Sequence, residues 1–177
     1  LGTGIGLSAA IIALAIKEKK MEGKIHTVEQ FEKCTKLAQE LLPEELKGSI
    51  EYHRVDPIIW QHPDIPAETF SIFKELPEGD FDLIIVDGPG PFLQEEKLLE
   101  IPNGDVLKLH SEGKLKPGVK IYFDGRFGAL NPIQRFYSSN FWLLDSNGRS
   151  TTLERKDNEV KFEDERKKMF EDNGYFK

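Results

Sequence analysis

The chain has 177 residues, 38% of them hydrophobic and 12 of them Phe, which is enough to bury the core of one domain. A formal charge of -7 and a pI near 5.2 disfavour nucleic acid as a partner, because a polyanion calls for a basic face. Cys34 is the only cysteine, which excludes an internal disulfide and suits a reducing, cytoplasmic home, and no stretch reaches the ~20 apolar residues of a membrane span.

The chain opens on Leu1-Gly2-Thr3-Gly4-Ile5-Gly6-Leu7-Ser8, followed at once by an apolar run to Ile16. Alternating glycines ahead of a helix allow a tight turn, and they let a ligand approach backbone N–H groups with no Cβ in the way. The dinucleotide fingerprint G-x-G-x-x-G would need glycine at position 7, where Leu7 stands, so the spacing is G-x-G-x-G. A tight strand-to-helix turn that binds nothing is the competing reading at this point.

Ala9 to Lys20 reads as a helix that packs on a sheet, with Gly23 as a stop, and Lys24 to Glu29 as a short strand ending in a carboxylate. Phe31, Cys34, Leu37, Ala38 and Leu41 recur at helical spacing up to Pro43, which makes Cys34 a core residue rather than a nucleophile. Gly48 to Val55 reads as the next strand, closed by Asp56-Pro57. From Ile58 to Gly79 prolines break the pattern, and Phe70 to Phe73 is expected to form one or two helical turns within a long connection.

Phe81 to Asp87 is the clearest strand, with a continuous apolar run from Leu83 to Val86 of the kind buried on both faces of a parallel sheet, and it ends in Gly88-Pro89-Gly90-Pro91. Gln94 to Glu100 and Gly104 to His110 carry helix potential. Leu115-Lys116-Pro117-Gly118 then turns into the strand Val119 to Phe123, which ends in Asp124. Asn131-Pro132 has the form of a helix start, with Asn as cap and Pro at the first helical position. Asn147-Gly148 between two strand-like runs predicts a closing antiparallel hairpin. Beyond Glu154 charge dominates.

In order and spacing these pieces resemble the class I S-adenosylmethionine-dependent methyltransferases: the glycine turn, the strand-end Glu29, Asp56, Phe81 to Asp87, Leu115 to Gly118 and the final hairpin. The resemblance implies an α/β fold, a doubly wound, mostly parallel seven-stranded sheet with helices on both faces and a C-terminal antiparallel hairpin. It implies a single domain over residues 1–160 and a charged helix or tail over residues 161–177. Most of the first strand, and the acid that usually precedes the glycine turn, would lie before Leu1, so a longer protein is expected.

By the same resemblance Gly2, Thr3, Gly4 and Gly6 pass beneath the methionine and ribose of S-adenosylmethionine. Glu29 holds the ribose hydroxyls, Gln30 or Phe31 lies beside the adenine, and Asp56 reaches the adenine amino group. The expected reaction is methyl transfer to oxygen or nitrogen of a small-molecule acceptor, which needs in-line positioning and, for a hydroxyl, proton removal. Asp87 is the catalytic candidate and also borders the cofactor. His53 and His62 are weaker base candidates, and Trp60, Phe92, Arg126 and Phe127 are candidates for the acceptor pocket. A Mg²⁺ held between Asp87 and Asp124 is the less favoured alternative to metal-free orientation by Asp87, since Arg126 offers charge balance without a metal. The competing functions are an NAD(P)-dependent oxidoreductase and a non-catalytic cofactor-binding domain.

Overall fold

The computed structural model describes residues 1–65, 68–88, 92–94, 97–99, 101–125, 127–147 and 149–157. Among them the helices are α1 (Leu7–Glu18), α2 (Glu32–Leu41), α3 (Asp105–Ser111) and α4 (Phe127–Phe136). The strands are β1 (Ile25–Glu29), β2 (Ile50–Arg54), β3 (Pro57–Gln61), β4 (Thr69–Phe73), β5 (Leu83–Val86), β6 (Phe92–Gln94), β7 (Lys97–Leu99), β8 (Lys120–Asp124), β9 (Phe141–Ser146) and β10 (Ser150–Arg155). Residues 161–177, expected as a charged helix or tail, lie outside the described residues. None of the described helices is long and apolar enough to cross a membrane.

The strands fall into separate sheets, β1-β2, β5-β8-β10-β9, β3-β4 and β6-β7, and not into the expected seven-stranded, mostly parallel, doubly wound sheet. The pairs β1–β2 and β5–β8 are parallel; β8–β10, β10–β9 and β6–β7 are antiparallel. A sheet is continuous only where neighbouring strands exchange an unbroken hydrogen-bond ladder. On the side of β1 away from β2, the Gly2 N–H donates to the Val28 carbonyl, and the Asp87 N–H donates in turn to the Leu1 carbonyl, each at 2.9 Å.

The chain divides into two compact units. The first gathers Leu1–Ile59, Ser71–Gly79 and Asp87–Glu100. Its parallel pair runs in register from Ile25↔Ile50 to Glu29↔Arg54, and its core joins Ala9 and Ala13 of α1 to Leu42, Leu46 and Ile50. Helix α1 was expected to pack on a sheet. Its buried residues are the small Ala9 and Ala13, one turn apart, while Leu7, Ile11 and Leu14 are exposed.

The second unit gathers Trp60–Phe70, Asp80–Val86 and the chain from Ile101. Its four-stranded sheet buries Val86, Ile121, Phe123 and Leu153, and its helices bury Val106, Leu107, Leu109, Ala129, Leu130 and Ile133. The closing hairpin forms as β9 and β10, and the Asn147 side-chain oxygen accepts the Arg149 and Ser150 N–H groups at 2.9 Å to hold the turn.

Three local expectations are corrected. Phe70 to Phe73 lies in strand β4, because its aromatic and β-branched residues find a partner in β3 across the connection. Part of the Gln94 to Glu100 segment forms the short antiparallel pair β6–β7, Phe92↔Leu99 to Gln94↔Lys97, in place of helix. Helix α4 begins at Phe127, so Pro132 lies inside it and not at its first position. Burial of Ala129, Leu130, Ile133 and Tyr137 along one side of the segment outweighs the hydrogen bond that Pro132 cannot donate.

Candidate functional site

The glycine turn and Glu29 lie together in the first unit. Gly2, Gly4 and Gly6 have φ of 85°, 52° and 82°, in the left-handed region that favours glycine. Two of the three are also required by packing. A Cβ on Gly2 would lie 2.6 Å from the Gly88 nitrogen, and one on Gly6 would lie 2.7 Å from the Ala38 Cβ. A Cβ on Gly4 would meet nothing within 4 Å. The turn closes through Gly6 N–H to Thr3 C=O at 2.9 Å, and the Thr3 and Thr27 hydroxyls share a hydrogen bond. Gly6 caps α1 with no side-chain bond.

Glu29, at the carboxyl end of β1, is only 6% exposed and organises this corner. Its Oε2 accepts the Gly4 N–H, and its Oε1 accepts the N–H groups of Gln30 and Phe31, all at 2.9 Å. A carboxylate offers about four acceptor positions, so these bonds leave one open, on Oε2 beside Gly4. Gln30 is buried, whereas Phe31, the residue before α2, is 58% exposed.

The Val55 N–H extends the β1–β2 ladder to the Glu29 carbonyl at 2.9 Å, which brings Asp56 to the same strand ends. There the Asp56 Oδ1 pairs with Arg54 Nη2 at 2.7 Å. This ion pair competes with the expected contact to an adenine amino group. Asp87 is exposed, with its N–H on the Leu1 carbonyl. Asp124 ends β8 in the second unit, opposite Ser150 in the ladder.

His62 is buried completely in the second unit. Its Nδ1 accepts the Asp64 N–H at 3.0 Å, so Nε2 carries the proton and donates to the Tyr137 hydroxyl at 3.0 Å. Burial lowers the His62 pKa and raises that of Tyr137. A group sealed in the core cannot meet an acceptor, so this histidine is structural. Trp60 packs edge-on against His62 and tilted on Phe70. Arg126 and the side chains of Phe92 and Phe127 lie outside the described residues.

No protein-family model and no curated protein matches the chain. Family membership is therefore not shown, and the functional reading rests on the geometry. One grouping escaped the sequence: His53, considered singly as a base, stands beside His26 and Glu51. Spacing along one strand cannot reveal it, because the register of β1 on β2 creates it.

Proposed function

We propose that the chain binds S-adenosylmethionine at the Gly2–Gly6 turn and Glu29, and transfers its methyl group to an oxygen or nitrogen of a small-molecule acceptor. The observation that carries this reading is the pairing of Gly4 with Glu29. Gly4 is the turn glycine that packing leaves unconstrained on its Cβ side, and its N–H holds the carboxylate whose remaining acceptor position is open. That pair suits a ribose, with the carboxylate taking a hydroxyl proton and the bare backbone giving close approach. Exposed Phe31 supplies a face on which an adenine stacks.

When bound, the cofactor would supply a sulfonium methyl group, which passes to the acceptor as a cation equivalent and leaves S-adenosylhomocysteine. The contribution of the chain is binding and alignment, with Asp87 orienting the acceptor or receiving the proton of a hydroxyl. A cytoplasmic home accompanies this reading.

Calorimetric titration of the full chain with S-adenosylmethionine, S-adenosylhomocysteine and NAD tests it. The first two should bind with Kd on the order of micromolar. Gly4→Asn, whose side chain tolerates a left-handed backbone, should fold normally yet lose that binding. Preference for NAD, or a Gly4→Asn chain that binds as the parent does, would overturn the proposal. Binding without turnover on any acceptor would favour the non-catalytic reading.

A further inference from the structure

Strands β1 and β2 carry a second constellation, on the face opposite the α1 core. His26 pairs in register with Glu51, and Val28 with His53, so the His26, Glu51 and His53 side chains share one face of the ladder. Ile50, with Ile25 and Tyr52 beside it, belongs to the α1 core on the other face. His26 Nδ1 and His53 Nε2 are 3.1 Å apart, and His53 Nε2 lies 3.6 Å from Glu51 Oε1. One ligand atom from each of the three falls within 4.8 Å of the other two. The imidazole rings stack, with centroids 5.3 Å apart.

From these observations we infer that His26, His53 and Glu51 form a binding site for a divalent metal ion of the Zn²⁺ class. A tetrahedral Zn²⁺ with bonds of 2.0–2.1 Å has ligand-to-ligand edges of about 3.3 Å, between the two separations observed here. Two imidazole nitrogens and one carboxylate oxygen make a borderline donor set that selects Zn²⁺ and its first-row neighbours over Mg²⁺ or Ca²⁺, which prefer oxygen alone. A fourth position faces solvent, because the His53 and Glu51 side chains are 25% and 43% exposed.

Neighbouring groups prepare the ligands. Lys24 forms an ion pair with Glu51 Oε2, which leaves Oε1 as the single donor turned toward the histidines. Without metal the two rings share one N–H···N hydrogen bond; with metal, one ring changes tautomer so that both lone pairs face the ion. The site is roughly 10 Å along β1 from Glu29, three residues at strand rise, and does not depend on the cofactor reading.

The test titrates the chelator-treated full chain with Zn²⁺ in competition with an indicator, and with Co²⁺ as a visible-absorption reporter. One ion per chain should bind, with the d–d bands of tetrahedral Co²⁺. His26→Ala and His53→Ala should each weaken Zn²⁺ binding at least about a hundredfold, with far-ultraviolet circular dichroism unchanged. Nitrogen-15 spectra of the parent provide a readout independent of any variant, since Zn²⁺ should shift the two imidazole nitrogens facing each other. A parent that takes up no stoichiometric Zn²⁺ at about 0.1 mM, a hundredfold above a typical micromolar Kd, would overturn the inference. So would imidazole resonances that Zn²⁺ leaves unmoved, or histidine variants that bind as the parent does.

Discussion

Alternate glycines at the start of the chain look equivalent in the sequence, yet each answers to a different neighbour. Gly2 crosses the backbone at Gly88, Gly6 rests on Ala38, and Gly4 faces open space. Gly6→Ala should therefore destabilise the fold by about 2 kcal/mol, combining left-handed strain with overlap against Ala38. Gly4→Ala should cost about 1 kcal/mol, from strain alone. Urea denaturation of the two variants checks the ordering, and equal midpoints would refute it. Glu29 shows the same dependence on context. Its position at a strand end suggested a ligand contact, and its three backbone bonds show that it also ties the turn to the start of α2.

Pro132 sets local chemistry against packing at the scale of an element. Asn-Pro favours a helix that starts there, whereas α4 begins at Phe127 and carries Pro132 within it, so that the Gly128 carbonyl receives no bond from position 132. Pro132→Ala restores that donor and should raise stability by about 1–2 kcal/mol, after allowance for the freer unfolded chain. A thermal midpoint that does not rise would instead place Pro132 in the first turn, where its missing N–H costs nothing. Strand β4 illustrates the same contest with the same winner. Phe70 to Phe73 is short enough to suit a helical turn, and the cross-strand partner supplied by β3 decided its form.

At the scale of the molecule, each unit is assembled from three separate stretches of chain, so long-range contacts carry much of the organisation. The second unit also buries ionisable rings, and this should make the protein acid-sensitive. His110 packs edge-on against Tyr137 and Phe141, and its pKa is held down to about 4 by burial first, then by Arg155 and His62. The unfolded chain titrates this group near 6.5, so between those values it binds more protons than the folded chain. The contribution to stability is complete above pH 6.5, declines as pH falls toward 4, and amounts to at most about 3 kcal/mol. His110→Phe keeps the aromatic packing and should flatten that decline while leaving stability near pH 7.5 within about 1 kcal/mol of the parent. Acid unfolding profiles that superimpose would show that another group governs the loss.

Much of the local structure was legible because period and punctuation act over a few residues. The glycine turn into α1, the carboxylate ending β1, the strand leading to Asp87 and the Asn-Gly hairpin each depend on neighbours in sequence, and each is present. What tertiary structure decided are the features that need a partner distant in the chain. Sheet continuity depends on unbroken ladders between strands distant in the chain, and the described strands pair in four separate sheets, so the expected seven-stranded sheet is absent. The burial of His62 depends on Tyr137, 75 residues away. The meeting of His26 with Glu51 and His53 depends on a register that a shift of one residue would have turned to the opposite face.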